Sequence, residues 1–397
     1  MTVSVSDRGI ASEAQWADWN TAVCPYSLGI EEEAILVDPR RGWALAHRID
    51  EVLDTLPAGL AGYVSAETHK AAIELRTDPH RSVGAAVAHL RGLRAELADA
   101  LATLGLAAAG AGTHPFALWS ETQVTSASRY QLIERTMRDL TRREPTFALH
   151  VHIAVPDPER AIELYNRLRV HLPLLLALSG NSPFWRGRDA GFASTRTIIF
   201  QGFPRTGMPR RYGSYTEWVE AIDLQLRVGA LPEPTFLWWD VRPQPRFGTV
   251  EVRIMDAQTR AADTATLAAL VQSIARLEVE EGFASERTVH SQEALAENRF
   301  LAARDGVEAC VIDANTESLR PIHDVLVELR DALRPHAMAL GCSTELEQIT
   351  ALATAPGAAR QRACSSGESS LVRMVAGLAE AFTGRMAVSR LGDPPTD

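Results

Sequence analysis

Three short stretches of the chain place two ionisable residues two positions apart, each among apolar or β-branched neighbours: Gly29-Ile30-Glu31-Glu32-Glu33, His150-Val151-His152 and Glu251-Val252-Arg253. Successive side chains of a β-strand point to opposite faces, so Glu31 and Glu33, His150 and His152, and Glu251 and Arg253 would each project to one side of a sheet. A carboxylate is costly to desolvate alone, and its usual partners are arginine or hard cations, which can in turn hold phosphates beside it. The three segments therefore predict a metal and phosphate site on a common sheet face. Glu32 falls on the opposite face and has no role in that site.

Each segment alone has a plainer explanation. A single Glu-x-Glu sits comfortably on the solvent face of an edge strand, and an isolated Glu251–Arg253 pair would be a weak surface ion pair. Trp238-Trp239 together with Val250, Val252 and Ile254 argue instead for burial of the third segment. A His-x-His pair can chelate zinc, which opens a metal-dependent hydrolase centred on His150 and His152 as an alternative. The sequence has no HExxH motif, and its cysteines do not cluster beside histidines. Glu67 and Glu74 lie seven apart, a spacing that sends them to opposite faces of one strand, so the chain must turn between them for both to reach one site. Neither GxxxxGK[ST] nor a GxGxxG between strand and helix is present. Any ATP site must therefore hold phosphate with arginines and metal ions.

The elements that must carry these residues follow from periodicity and punctuation. Strands are predicted over Tyr26 to Val37, Gly62 to Ser65, Ile73 to Thr77, Ala107 to Gly112, Thr146 to Val155, Trp238 to Arg242 and Thr249 to Ile254. Helices are predicted over Ile49 to Leu56, Val83 to Leu104, Arg129 to Thr141 and Pro158 to Leu178, the last as one helix or as two with the second beginning near Pro173. Asn181 to Gly213 reads as a long irregular segment carrying several arginines, among them Arg196, and loops of that length are often functional. After Thr259 the pattern is largely helical, ending in a frayed tail over Leu391 to Asp397. His114-Pro115-Phe116 and Arg129-Tyr130 fit a structural loop and a helix start.

The whole chain bounds the function. Its 397 residues are 46% hydrophobic, enough for a large core, and its net charge of -10 comes without any basic run, which argues against nucleic acid as a partner. The most apolar stretches are shorter than the roughly 20 residues a bilayer requires. Four scattered cysteines and the lack of a basic then apolar leader point to a reducing, cytoplasmic setting. One domain over residues 1–397, with a mainly helical C-terminal third from about 260 to 390, is the simplest organisation. The oligomeric state, monomer or homo-oligomer, stays open.

Longer motifs sharpen this picture. They run from Ser27-Leu28-Gly29-Ile30-Glu31-Glu32-Glu33 through Ile73-Glu74-Leu75-Arg76-Thr77, Gly112-Thr113-His114-Pro115-Phe116 and Leu149-His150-Val151-His152-Ile153. Asn181-Ser182-Pro183-Phe184-Trp185, Trp239-Asp240-Val241-Arg242-Pro243, Gly248-Thr249-Val250-Glu251-Val252-Arg253 and Glu297-Asn298-Arg299-Phe300 follow in order. In residues, order and spacing the chain resembles the carboxylate-amine ligases of the glutamate–cysteine ligase type 2 group, relatives of glutamine synthetase. That resemblance implies an α+β, glutamine synthetase-like fold: a curved, mostly antiparallel sheet forming a funnel, with helices packed outside. It implies ATP and two or three divalent cations, Mg²⁺ or Mn²⁺, inside the funnel.

By the same resemblance Glu31 and Glu33 are expected as the first metal ligands, Glu67 and Glu74 as the second pair, and Glu251 and His150 as the remainder. Arg253 is expected to contact phosphate and, with Glu251, to be catalytic, while Arg196 would grip phosphate or a substrate carboxylate. The implied reaction joins the γ-carboxylate of glutamate, or a related acid, to an amine such as cysteine through an acyl phosphate. Many members have cysteine and glycine before the histidine pair, where this chain has Phe147 and Ala148, adding bulk beside the metal strand. A non-catalytic protein of the same fold that binds nucleotide or amino acid is the remaining alternative.

Overall fold

The computed structural model describes residues 14–143, 145–365 and 370–384. Its centre is an antiparallel sheet whose longest strand, β1 (Leu28–Asp38), takes partners on both sides. With β2 (Ala44–Leu45), β3 (Val64–Ala66), β4 (Ala72–Arg76), β5 (Ala107–Ala109), β6 (Ala148–Ala154), β7 (Val241–Gln244) and β8 (Thr249–Asp256), the main path runs β7-β8-β6-β1-β4-β3. β2 and β5 pair with the far half of β1.

The outer layer is helical: α1 (Ile49–Thr55), α2 (Val83–Thr103), α3 (Ser128–Met137), α4 (Pro158–Ser179), α5 (Thr195–Phe200), α6 (Tyr215–Arg227), α7 (Ala261–Glu280), α8 (Gln292–Asp305), α9 (Ile322–Leu340) and α10 (Ser370–Thr383). One sheet face is apolar and buried by these helices. Leu28, Ile30, Leu149, Val151, Ile153, Val250 and Val252 join the aliphatic residues of α2, α4 and α7 in one cluster. Period-two alternation then leaves the other face to the charged residues.

Several elements settle or depart from the sequence expectation. α4 is one continuous helix with Pro173 inside it; Asp157 caps its start by accepting from the Arg160 amide, and burial of nearly all its second half outweighs the lost hydrogen bond. The strand expected from Trp238 to Arg242 breaks at Asp240, whose carboxylate pairs with Arg299 and whose amide donates to Gly207. Trp238–Trp239 instead pairs in parallel with Thr206–Gly207. The irregular segment from Asn181 contains α5, and the helical third contains a hairpin, Cys310–Asp313 with Ser318–Pro321, that periodicity did not reveal. The expected tail over residues 391–397 lies outside the described residues.

Candidate active site

Register aligns the charged segments. Glu31 of β1 faces Arg76 of β4 and His150 of β6, Glu33 faces Glu74, and Glu251 of β8 faces His152 of β6 and Arg242 of β7. Glu67 follows directly after β3, and the turn expected between it and Glu74 brings both to the same face. The register of β8 on β6 shifts between Val252 and Met255. Bulges of this kind re-aim side chains. Arg253 stands in it, its amide donating to the Asp240 carbonyl.

The result is a cavity of about 450 Å³ lined by Glu31, Glu33, Glu67, Glu74, His150 and Arg253, among others. Three overlapping groups each offer ligand atoms within 4.8 Å of one another: Glu33, Glu67 and Glu74; Glu31, Glu74 and His150; and Glu31, His152 and Glu251. Carboxylate-rich sets with one imidazole suit a hard divalent cation. His152 strengthens the fit. Its Nδ1 bonds the Thr249 hydroxyl, while Nε2 is buried without a hydrogen-bond partner and lies 3.4 Å from Glu31.

Electrostatics divide the carboxylates. Burial and then the neighbouring Glu67 push the Glu33 carboxyl up to about 8. Burial followed by Glu31, Glu67 and Glu33 raises Glu74 well above its usual range, and burial raises Glu67. Like charges crowded together out of water favour protons or cations. Burial acts on Glu31 as well, but His152 and His150 outweigh it and hold that carboxyl well below the ordinary range. Arg242 and Arg253 likewise overcome burial at Glu251. Arg242 donates twice to Glu251 Oε2, at 3.1 and 2.9 Å, Gln244 adds a third bond at 2.7 Å, and Arg253 pairs with Oε1.

Arg196 is buried and Arg253 partly so, and the Nε atoms of both are buried without a hydrogen-bond partner. Arg196 reaches the cavity from α5, with its other nitrogens on the carbonyls of Ile254 and Arg253, at 3.0 and 3.2 Å. Free donors in such a place suit an anionic oxygen.

A model of glutamate–cysteine ligase family 2 matches residues 27–372. The chain belongs to that family. A Rubrobacter xylanophilus protein provisionally named glutamate–cysteine ligase 2-1 is 40% identical over 356 residues, covering 89% of this chain and 94% of its own. A similarly named Herpetosiphon aurantiacus protein is 37% identical, covering 82% and 84%. Among solved structures, a Francisella tularensis glutamate–cysteine ligase in complex with AMP superposes with a TM-score of 0.65 at 14% identity, over 92% of this chain and 90% of the other. A bifunctional glutathione synthetase from Pasteurella multocida gives 0.65 at 14% identity, covering 90% and 52%. The glutamine synthetase-like fold expected from the sequence is thereby borne out, and the chain is a ligase.

Of the residues expected from the sequence, Glu31, Glu33, Glu67, Glu74, His150, Arg253 and Arg196 line the cavity, and Glu251 lies fully buried against Arg253. Sequence reasoning missed Arg242 and Gln244, whose two-residue spacing on the strand before Glu251 carried the signal. Phe147 does not line the cavity: it is fully buried in a cluster with Ile35, Val37 and Phe184. Ala148 contributes its amide, which donates to Glu33 at 2.7 Å. His114 is structural; its Nε2 donates to the Trp43 carbonyl at 2.9 Å and its Nδ1 accepts from the amides of Phe116 and Ala117.

Proposed function

We propose that the protein is an ATP-dependent ligase that joins the γ-carboxylate of glutamate, or a related acid, to an amine through an acyl phosphate. The observation that carries this is the meeting of four carboxylates, two histidines and two guanidiniums with free Nε–H groups around a single cavity, with the fully buried Glu251 held against Arg253 behind it. A pure binder has no need of so many like charges. A zinc hydrolase would want a compact nitrogen-rich set, whereas here oxygen donors predominate.

Glu33, Glu67 and Glu74 would hold one cation and Glu31, Glu251 and His152 another, while His150 meets Glu31 and Glu74 between them. Bound Mg²⁺ or Mn²⁺ would screen the charges of triphosphate and carboxylate. Arg253 would stabilise charge on the phosphoryl group in transfer, with Glu251 and Arg242 fixing its position. The substrate carboxylate attacks the γ-phosphorus and ADP leaves. The amine nitrogen then attacks the acyl carbon, the bond from carbon to the phosphate oxygen breaks, and the nitrogen loses a proton. Arg196 would grip phosphate or the acid. One hydrophobic cluster joining β1, α2, α4, α7 and α9 supports a single catalytic domain. Among the described residues no helix is long and apolar enough to cross a membrane.

The test follows oxygen. Glutamate labelled with ¹⁸O in its γ-carboxylate should pass one label to inorganic phosphate during amide formation, with ADP as coproduct. Unlabelled phosphate, or AMP and pyrophosphate, would overturn the acyl-phosphate route. Cysteine, from the relatives' names, is the first amine to try.

A further inference from the structure

We infer that the amine accepted at this site carries a large apolar or aromatic group, a step that rests on the ligase reading above. Beyond Glu33, Glu67 and Glu74 the cavity ends in a wall formed by Ile133, Tyr130, Phe200, Phe203 and Trp238. The rings are tied to one another: Phe200 to Phe203 at 5.6 Å between centroids, Phe203 to Trp238 at 6.1 Å, and Trp238 to the fully buried Phe236 at 5.4 Å. Phe200, Phe203 and Trp238 are themselves only half-buried, so each keeps ring surface turned to the cavity. A ligand with an apolar body gains by covering that surface. The single CH2–SH of cysteine is too short to cover three rings.

The position of this wall along the sheet assigns it to the amine. A second chamber of about 550 Å³ adjoins the cavity, sharing Glu31, Arg76, His152 and Phe247 with it. It lies at the end of the sheet marked by Leu28, Ala154 and Thr249. The aromatic wall lies towards the opposite end, where Arg196 of α5 grips the backbone at Arg253 and Ile254. The phosphoryl donor and the amine approach the substrate carboxyl from different sides. The chamber at the Leu28 end, with Arg76 and Arg81 on a largely apolar lining, is assigned to the nucleoside, which leaves the aromatic end to the amine.

The experiment offers wild-type enzyme ATP, Mg²⁺ and glutamate with an equimolar mixture of cysteine, alanine, ethylamine, phenylalanine, tyramine and phenethylamine, and reads amides by mass. Aromatic amines should be consumed with kcat/KM at least about tenfold above cysteine, the scale on which apolar pockets discriminate. Phe203→Ala and Trp238→Ala should raise KM for the preferred amine by about tenfold and leave KM for ATP unchanged. A preference for cysteine would overturn the inference and leave the ligase reading standing. A raised KM for ATP with that for the amine unchanged would put the nucleoside on this wall and overturn it as well. Phosphate release with no amine at all would remove the ligase reading and this inference together. Because the amine competition uses only wild-type protein, it decides the question even if a variant fails to fold.

Discussion

Four carboxylates line one cavity and Glu251 lies buried behind it, and their neighbours divide the work among the five. Glu33, Glu67 and Glu74 face one another with few donors: one backbone amide on Glu33, the Thr68 amide and hydroxyl on Glu67, and the Ser65 hydroxyl on Glu74. Glu251 already has three bonds from arginine and glutamine on Oε2, and its Oε1, paired with Arg253, is the oxygen left for a cation. Glu31→Gln and Glu33→Gln should each lower kcat by at least about a hundredfold while circular dichroism and melting stay near wild type. Glu251→Gln should differ by also destabilising the fold, on the order of 3–5 kcal/mol, because it leaves Arg242 and Arg253 buried without their countercharge. Denaturant melts of the three variants separate the two roles. Arg253→Lys keeps the charge and loses the planar donor pair, so turnover should fall much further than ATP affinity in steady-state and binding measurements.

The strand elements were legible because their alternation is strict: charged residues on odd positions of β1, even positions of β6 and odd positions of β8 met on one face as read. What the sequence could not disclose was cross-strand partnership. Arg242 opposite Glu251 depends on a hairpin register fixed by the turn at Pro245–Phe247 and by Gly248, which takes a positive φ of 63° with the Asn20 carbonyl packed against it. Nor could it show which way Phe147 turns, since that follows from the sheet's neighbours and not from the residue. Pro173 left one helix or two open for a related reason: local propensity gives way there to burial. The loop after β5 makes a test of pH. Its His114 is pushed down to about 4 by burial, against an ordinary 6.5. Between those values the unfolded chain takes up a proton that the native histidine, already accepting from two amides, refuses. Stability should therefore fall as pH drops from 6.5 towards 4, and His114→Asn, though less stable throughout, should show a shallower slope of melting temperature against pH.

At the scale of the molecule, crowded carboxylates make the apo protein less stable than it would be with cations bound. Mg²⁺ or Mn²⁺ with ATP should raise the melting temperature, chelation should reverse the rise, and turnover should vanish with exhaustive chelation. A melting temperature indifferent to both treatments would count against a metal site here.

Between the two cavity-facing glutamates of β1, Glu32 points the other way, and Arg94 of α2 clasps it with two bonds, at 2.7 and 2.5 Å. The same guanidinium donates to the carbonyls of Gln258, Thr259 and Phe382 and lies 4.0 Å from the Phe382 ring centroid. One arginine thus ties the back of the metal strand to α10. In a polypeptide made from its amino end, β1 leaves the ribosome well before α10, so the clasp closes only once α10 has emerged. A nascent chain that stops short of Ser370 carries the glutamates but not their complete backing, and should neither bind Mg²⁺ firmly nor spend ATP. Ribosome-stalled chains ending before and after α10, compared for Mg²⁺-dependent ATP turnover, would show whether competence arrives with that helix. The cell would then be spared a half-made enzyme hydrolysing nucleotide without product.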